Sequence, residues 1–348
     1  MSQIFQQLLD EVGINRPSPA TPIHLFPVKN RISMVGTVGA GKSTVVAGIV
    51  MTAEKLVAED PNFYCRVIEG SSNIHQDVSN LRDGHFPKKT TAFESFATEA
   101  GLLMEWERKI AGINAGVKRL QVPLCDVAGE DLAQMIRQVR AAGALGDIAK
   151  QAVRNLIAYV RESDGFIITI KATRAKGLFP KGEQLETETD KKLSQDPDVN
   201  LVRLLEDLIN YKMTHRSRPI KGVAVVITAW DRLKHSGVSD KIGFDILNPI
   251  LGQNDLDKFV RACFPAVYAA VKSLRIPNVK YFPSFFETEI DENGDPKHWP
   301  GETNSPIIKA RETQVGTPDE WWRDLRQISY NEKGNIDLIN WLKPFAAM

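Results

Sequence analysis

The sequence predicts an α/β fold with a mostly parallel sheet and one antiparallel strand. Apolar runs of strand length alternate with segments of helical periodicity, which is typical of parallel strands joined by helices. One stretch, at residues 102–127, has instead the apolar–polar alternation and central turn of a hairpin. The 348 residues are 43% hydrophobic and 25% charged. This composition is typical of a globular protein with a sizeable core.

The net charge and the cysteine content exclude several functional classes of protein. The net charge of +1 gives no bulk attraction to nucleic acid or to an anionic membrane surface. No apolar run reaches the ~18 residues that a membrane span requires, and residues 1–4 lack the pattern of a signal peptide. Cys65, Cys125 and Cys263 are widely spaced, without a metal or disulfide pattern. We therefore expect a cytoplasmic protein with neither a nucleic-acid partner nor a membrane span.

Residues 36–43 carry the most specific motif in the chain. A predicted strand at 32–35 precedes them, a predicted helix at 44–58 follows, and they match the phosphate-binding P-loop pattern G-x-x-x-x-G-K-[ST]. Its glycines let backbone N–H groups point at phosphate oxygens, while Lys42 brings charge to the β- and γ-phosphates and Ser43 offers a hydroxyl to Mg²⁺. The predicted nucleotide contacts are Gly36, Val38, Gly39, Ala40, Gly41, Lys42, Ser43 and Thr44. A glycine-rich turn without a ligand is disfavoured, because the motif is complete and its flanks are correct.

A second motif, residues 126–129, follows the apolar strand at 120–125. At this position Asp126 can hold Mg²⁺ through a water, and the N–H of Gly129 can donate to the γ-phosphate. An ordinary strand-to-helix turn is the alternative for this segment alone.

A third stretch, residues 84–91, lies in a long polar segment at 69–98 that we predict to be a loop. A threonine here could close over Mg²⁺ and the γ-phosphate, and the sequence does not separate Thr90 from Thr91. The alternative is a solvated polar loop.

Two further stretches could recognise the base of a bound nucleotide. Thr228 and Asp231 follow a predicted strand at 223–227. A carboxylate there can accept hydrogen bonds from N1–H and N2–H₂ of guanine, a donor pair that adenine lacks. A backbone N–H near Ser284, at the end of the last predicted strand, could reach guanine O6. A strand-end aspartate or a helix cap is the alternative for Asp231.

Periodicity and breakers predict the remaining elements. These are a helix at 3–12, a proline-rich connector at 16–27, hairpin strands at 102–110 and 117–127, helical segments at 131–162 and 201–209, strands at 165–170, 222–229 and 279–285, a helical segment at 239–275 broken near Gly252, and loops at 171–197 and 291–316. We expect Trp321, Trp322 and Trp341 to pack on the core.

The order of these motifs resembles the Ras-like P-loop GTPase family over residues 30–287, and residues 84–91 and 126–130 are similar to bacterial double-GTPase proteins. The resemblance implies a P-loop NTPase three-layer sandwich whose six-stranded sheet has one antiparallel strand. It also implies a Mg·GTP site at the strand C-terminal ends, with switch segments near 80–95 and 129–145. The expected division is an N-terminal helix and connector (1–29), a GTPase domain (30–287) with an insertion near 171–197, and a C-terminal extension (288–348) packed on it.

The resemblance also implies roles for individual residues. Catalytic roles fall to Lys42, Thr91, Gly129 and Glu130; Mg²⁺ ligation to Ser43, Thr90, Thr91 and Asp126; and base recognition to Thr228, Asp231 and Ser284. Three positions depart from the family pattern: Ala229 replaces the lysine that covers guanine, no alanine follows Ser284, and Glu130 replaces the water-orienting glutamine.

The leading hypothesis is a Mg²⁺-dependent GTPase that acts as a molecular switch, cycles between GTP and GDP, and hydrolyses slowly without a protein effector or activator. A homodimer is one arrangement that we leave open. Two alternatives remain: an ATPase or P-loop kinase, for which Lys171, Arg174 and Lys176 could form a basic lid, and a binding module that holds nucleotide without hydrolysing it.

Overall fold

The computed structural model describes residues 31–36, 39–68, 72–87, 101–110, 113–123, 163–174, 219–235, 251–273, 275–292, 296–300, 306–310 and 328–346. Several predictions lie outside these residues. They are the helices at 3–12, 131–162 and 201–209, residues 239–250 of the helical segment at 239–275, the connector at 16–27, most of the loop at 171–197, Trp321 and Trp322, and the site residues Val38, Thr90, Thr91, Asp126, Gly129 and Glu130.

The fold is a mixed α/β arrangement with two sheets. The described strands are β1 (Ile32–Gly36), β2 (Phe63–Val67), β3 (Gly101–Ile110), β4 (Ile113–Pro123), β5 (Gly165–Lys171), β6 (Gly222–Thr228) and β7 (Val279–Pro283). A parallel sheet has the order β1-β5-β6-β7, and an antiparallel sheet has the order β2-β3-β4. Strands β1 and β6 are buried along their whole length, which explains their uninterrupted apolar runs.

This architecture differs from the expected single six-stranded sheet. Strand β2 was not predicted, although its exposed residues Tyr64 and Arg66 alternate with less exposed ones. The antiparallel hairpin of β3 and β4 agrees with the prediction. A single parallel bridge between Arg31 and Gln121 places β4 beside β1, so the edges of the two sheets meet.

Five helices are described: α1 (Lys42–Glu59), α2 (Ser72–Arg82), α3 (Gln253–Cys263), α4 (Pro265–Ser273) and α5 (Glu332–Leu342). Helix α1 confirms the helix predicted after the P-loop. The prediction of a loop over residues 69–98 is wrong where α2 forms. The apolar residues Ile74, Val78 and Leu81 of this helix are buried. Gly252 is the N-cap of α3, as its predicted break suggested, but a second break at Phe264 separates α3 from α4. Proline at the first position of α4 accounts for it.

Helix α5 packs on α1 and on the end of β7. The Asn335 Nδ2 donates to Thr52 Oγ1 at 3.2 Å, and Thr52 Oγ1 donates to the Gly48 carbonyl at 2.8 Å. Trp341 is buried, as predicted, with its ring centroid 6.3 Å from that of Phe282. The C-terminal residues of the described chain therefore share one hydrophobic core with the P-loop helix.

Between β7 and α5 the described residues form isolated antiparallel bridges instead of regular strands. The bridged pairs are Phe286–Tyr330, Thr288–Ile308, Ile290–Pro296, His298–Pro306 and Ala310–Ile328. One further bridge joins His85 to Ile307, and the His85 ring stacks on Trp299 with centroids 4.1 Å apart. The segment predicted as a loop at 291–316 is thus irregular but partly paired in its described residues. None of the described helices combines the length and apolarity needed to cross a bilayer.

Candidate functional site

The described part of the loop between β1 and α1, residues 39–41, contains two glycines in a left-handed conformation. Gly39 and Gly41 have φ of 65° and 80°, and Gly41 is the N-cap of α1. L-residues with a side chain rarely adopt these angles, so glycine is required at both positions. The N-terminus of α1, where the helix dipole is positive, directly follows this turn. No acidic side chain occupies the first turn of α1 to offset that potential.

Gly36 is required for a different reason, the close approach of β5. A β-carbon at Gly36 would lie 1.9 Å from Thr169 Oγ1, which cannot be accommodated. Thr169 pairs with Gly36 in the parallel register, and its hydroxyl donates to the Val35 carbonyl at 3.4 Å. The start of the loop is therefore held against the neighbouring strand.

Lys42 is a buried cation at the first position of α1. Its side chain is only 6% exposed, and Nζ donates to the Gly36 carbonyl at 3.1 Å. The ammonium group is thereby held across the loop between Gly36 and Gly41. Ser43 and Thr44 follow in the same helical turn and are half-buried.

Thr228, the last residue of β6, touches the loop directly. Its Oγ1 lies 2.9 Å from the Ala40 carbonyl oxygen and 3.2 Å from the Ile170 carbonyl oxygen. A β-carbon at Gly41 would lie 3.1 Å from Thr228 Cγ2. Because a hydroxyl has one proton, the shorter contact identifies Ala40 as the better-placed acceptor. The segment predicted to read the base is therefore in contact with the segment predicted to bind phosphate.

Asp231 lies three residues beyond Thr228, at the start of a 3₁₀ turn (Trp230–His235). Ala229 has φ of 53°, a left-handed conformation that turns the chain sharply after β6. The Asp231 side chain is 8% exposed, and Thr288 Oγ1 donates to its Oδ2 at 3.2 Å. Burial raises the pKa of Asp231 above its usual value, and Arg232 and Thr288 oppose this shift only in part.

Ser284 lies beside the same turn, at the end of β7. Its backbone N–H donates to the Ile227 carbonyl at 2.8 Å, and its carbonyl accepts from the Trp230 N–H at 3.5 Å. The N–H of Ser284 is therefore engaged in holding β7 to β6. The next N–H along the chain belongs to Phe285.

The structure thus brings together the predicted residues that it describes. These are Gly36, Gly39, Ala40, Gly41, Lys42, Ser43 and Thr44 in the loop and α1, with Thr228, Asp231 and Ser284 at the ends of β6 and β7. The remaining predicted site residues, Val38, Thr90, Thr91, Asp126, Gly129 and Glu130, lie outside the described part.

Sequence reasoning missed two residues of this site. Thr169 is a polar residue inside the apolar run of β5, and that interruption was a usable signal. Thr288 lies four residues beyond the last motif, and no sequence pattern links it to Asp231. Arg174 was singled out only as part of a basic lid. It ends a short 3₁₀ turn (Ala172–Arg174) after β5, and a β-carbon at Gly39 would lie 3.1 Å from its Nη2.

The sequence matches a known protein family. A family model described as Double-GTPase 1 matches residues 33–241, more than half of the chain. The chain belongs to this family. The match begins in β1 and includes the P-loop, Thr228 and Asp231. It confirms the double-GTPase resemblance predicted from the motifs.

The name of the Double-GTPase 1 family implies a GTP-binding domain and a hydrolase. It ends at residue 241, before β7, Ser284 and α5. No curated protein matched the chain.

Proposed function

We propose that this protein is a Mg²⁺-dependent GTPase that hydrolyses GTP to GDP and phosphate and acts as a molecular switch. The observation that carries the proposal is the contact between Thr228 Oγ1 and the Ala40 carbonyl. It supports a single site in which a base held near Asp231 continues into phosphates held by the P-loop. Membership of a family named for GTPases supports the same proposal.

The proposed fold is the three-layer sandwich of P-loop NTPases. The bridge between Arg31 and Gln121 supports it, since it sets the antiparallel strands beside β1. We keep the division into an N-terminal segment (1–29), a GTPase domain (30–287) and a C-terminal part (288–348). The contacts of α5 with α1 support a C-terminal part that packs on the GTPase domain.

Phosphate binding would rest on backbone and charge together. The left-handed glycines Gly39 and Gly41 aim N–H groups at the phosphates, and the N-terminus of α1 adds its dipole. Lys42 Nζ, held 3.1 Å from the Gly36 carbonyl, is already at the loop and needs no large movement to meet the β- and γ-phosphates. Preorganised charge of this kind stabilises a transition state without reorganisation.

Base selection would rest on Asp231. Its ionised carboxylate accepts from guanine N1–H and N2–H₂, and an adenine base offers no such pair. Thr288 positions that carboxylate through its 3.2 Å hydrogen bond. Because the Ser284 N–H is bound to Ile227, we assign the contact with guanine O6 to the N–H of Phe285.

The described residues of the site are compatible with a bound Mg²⁺ ion. Ser43 stands in the first turn of α1, half-buried and next to Lys42, where its hydroxyl can serve as an oxygen ligand. Asp126 and Thr90 or Thr91 would complete the set. When bound, Mg²⁺ neutralises charge on the β- and γ-phosphate oxygens.

Hydrolysis would follow from positioning. The backbone N–H of Gly129 and the carboxylate of Glu130 would hold a water in line with the γ-phosphorus, with Thr91 closing the site. The water oxygen forms a bond to phosphorus, the bond to the β–γ bridging oxygen breaks, and its electron pair stays on GDP. The proton of the water passes to the released phosphate.

The switch would act through segments 80–95 and 129–145, which the γ-phosphate orders and hydrolysis releases. A molecular switch acts through a partner protein that distinguishes its two states. We therefore propose a protein effector or activator in the cytoplasm. A second copy of the chain is one arrangement for such a partner.

Nucleotide competition tests the proposal. Fluorescent GDP bound to the purified protein should be displaced by GTP and GDP at similar concentrations, and by ATP only at a concentration at least ~100-fold higher. Equal displacement by ATP would reject the guanine assignment and favour an ATPase or kinase. Phosphate release is then measured with and without cell extract. No turnover in either condition would identify a binding module.

A further inference from the structure

We propose that the C-terminal part of the described chain links recognition of the base to the placement of residues 84–86, within the first proposed switch segment. This inference rests on the proposed function and gives a regulatory role to residues beyond the family match, which ends at residue 241. The link is the C-terminal ladder, which we define as residues 286–290, 296–299 and 306–310, joined by antiparallel bridges.

The first support is the contact of the ladder with the base site. Thr288 Oγ1 donates to Asp231 Oδ2 at 3.2 Å, and both residues are buried. Thr288 lies opposite Ile308 in an antiparallel bridge. Directly opposed residues of antiparallel strands keep their Cα atoms about 4.5–5.5 Å apart. A displacement of Thr288 relative to Asp231 is therefore passed to the backbone of Ile308.

The second support is the contact of the ladder with the end of α2. The Ile308 N–H donates to the Gly84 carbonyl at 3.0 Å, and the same carbonyl accepts from Trp299 Nε1 at 3.4 Å. Gly84 is buried and has φ of 86°. A carbonyl oxygen has two lone pairs, and here both are directed at the ladder. A single bridge, between Thr288 and Ile308, therefore separates the contact with Asp231 from the contact with Gly84.

The third support is the packing of the two aromatic rings that follow α2. The His85 ring stacks on that of Trp299 at a centroid distance of 4.1 Å, and the Phe86 ring meets that of Phe286 edge-on at 6.4 Å. Both partner rings belong to the ladder. Close-packed side chains compress little, so they transmit a displacement to their neighbours. The positions of His85 and Phe86 therefore depend on the ladder.

Guanine binding changes what the Asp231 carboxylate must accept. It now accepts from Thr288, and with guanine bound it would also accept two hydrogen bonds from the base. The ladder holds Thr288 in place for this arrangement, and the contacts at residues 84–86 hold the ladder. Coupling between two sites is reciprocal, so whatever fixes residues 84–86 favours guanine binding, and guanine binding favours fixed residues 84–86.

A double-mutant cycle tests the link. Trp299→Ala removes a ring and an N–H donor from residues 84–86. The Kd for GDP is measured for this variant in the wild-type background and in the Asp231→Asn background, and each protein is checked for folding by its thermal transition. Lys309→Ala is the matched control, because Lys309 lies in the same ladder but its side chain is 49% exposed and pairs with Glu287.

We expect Trp299→Ala to raise the Kd for GDP roughly threefold to tenfold in the wild-type background. In Asp231→Asn, where the base contact is already lost, it should leave the Kd unchanged. Trp299→Phe, which keeps a ring beside His85, should recover part of the affinity, and Lys309→Ala should match wild type. A rise of equal size in both backgrounds would overturn the inference, because it would describe a general loss of structure. So would the absence of a rise in either.

Hydrogen exchange gives a second measurement, which does not depend on Trp299. GDP should slow amide exchange of wild type at residues 84–86 and 306–310. Thr288→Val keeps the shape of the side chain but lacks the donor to Asp231. When this variant is saturated with GDP, it should lose the protection at residues 84–86. Protection that persists there would also overturn the inference.

Failure of the proposed function gives a different result. A wild-type protein that binds ADP more tightly than GDP would reject the guanine assignment, and the exchange experiment is then made with ADP. Protection of residues 84–86 by ADP that Thr288→Val abolishes would still support the link. Absence of protection by either nucleotide would overturn it.

Discussion

The hydroxyl of Thr228 lies 2.9 Å from the carbonyl oxygen of Ala40 and joins the end of β6 to the phosphate-binding loop. The two residues are 188 positions apart in the sequence. Asp231 follows Thr228 by one turn, and Lys42 follows Ala40 by two residues. This hydrogen bond therefore links the turn that carries Asp231 to the loop that precedes Lys42.

Removing this hydrogen bond should weaken nucleotide binding. Thr228→Val keeps the shape of the side chain but leaves the Ala40 carbonyl without its donor. A buried hydrogen bond contributes about 1 kcal/mol, so we expect the Kd for GDP to rise roughly fivefold. Isothermal titration calorimetry measures this change.

Thr52→Val is the matched control, since it removes a buried hydroxyl from α1 on the side of α5. It should lower the melting temperature and leave the Kd for GDP unchanged. Equal Kd values for wild type and Thr228→Val would show that the contact does not position the site.

Asp231→Asn should change which base is bound. The amide of asparagine donates where the carboxylate accepts, so it suits the O2 of xanthine in place of the N2–H₂ of guanine. We expect weaker GDP binding and a gain in affinity for xanthosine diphosphate, measured by competition. Asp255→Asn, in the first turn of α3, is the control and should keep the wild-type preference. Unchanged base preference in Asp231→Asn would favour the ATPase or kinase alternative.

The pH dependence of binding should report the same carboxyl. Burial raises the pKa of the Asp231 carboxyl above its usual value, and only the ionised form can accept both guanine hydrogen bonds. Affinity for GDP should therefore fall as the pH decreases through the raised pKa. Asp231→Asn should lack this titration. A wild-type affinity that is flat over the acidic range would contradict the assignment.

Stability of the nucleotide-free protein should depend on pH with the opposite sign. A carboxyl whose folded pKa is raised binds more protons in the folded than in the unfolded state, so it destabilises the fold as the pH rises through that window. At neutral pH the ionised Asp231 costs stability, and Asp231→Asn should melt at a higher temperature than wild type. Below the unfolded pKa the two should melt together. Thermal melts of both proteins across the acidic and neutral range measure the difference.

Close packing at the start of α5 predicts a destabilising substitution. A β-carbon at Gly334 would lie 2.5 Å from the Pro283 carbonyl oxygen, which already accepts a 2.8 Å hydrogen bond from Asn331 Nδ2. Overpacking costs about 1–3 kcal/mol, more than the gain of about 1 kcal/mol in helix propensity. Gly334→Ala should therefore lower the midpoint of urea unfolding.

Gly252→Ala is the corresponding control at the N-cap of α3. Among the described residues, its β-carbon would meet only Asp255 Oδ2, at 3.8 Å, and its φ of −79° suits alanine. We expect a loss of less than about 1 kcal/mol. An equal loss of stability in both variants would mean that the contact with β7 does not cause the destabilisation at position 334.

The sequence predicted those parts of the fold in which local pattern and burial agree. Strands β1, β5 and β6 are apolar runs that are buried on both faces, and α1 follows a complete motif. Helix α2 was missed because its mean composition is polar and glycines flank it. Its buried residues Ile74, Val78 and Leu81 nevertheless recur at intervals of four and three, a helical signal within a polar background.

The candidate site was predictable where a backbone motif defines it. The glycines and Lys42 lie where their spacing requires, and Asp231 lies in a turn joined to the loop. The partners supplied by long-range packing were not predictable. Thr288 reaches Asp231 across 57 residues, and Arg174 reaches Gly39 through strand order. No local pattern encodes either contact.

The cover that α5 provides for α1 has a consequence for synthesis. Asn335 meets Thr52 across 283 residues, so the two helices cannot pack until nearly all of the described chain has left the ribosome. Through most of translation the P-loop helix is present without its last apolar neighbour. Until α5 emerges, the nascent chain therefore exposes apolar surface of α1 that the folded protein buries, and such transient exposure favours aggregation.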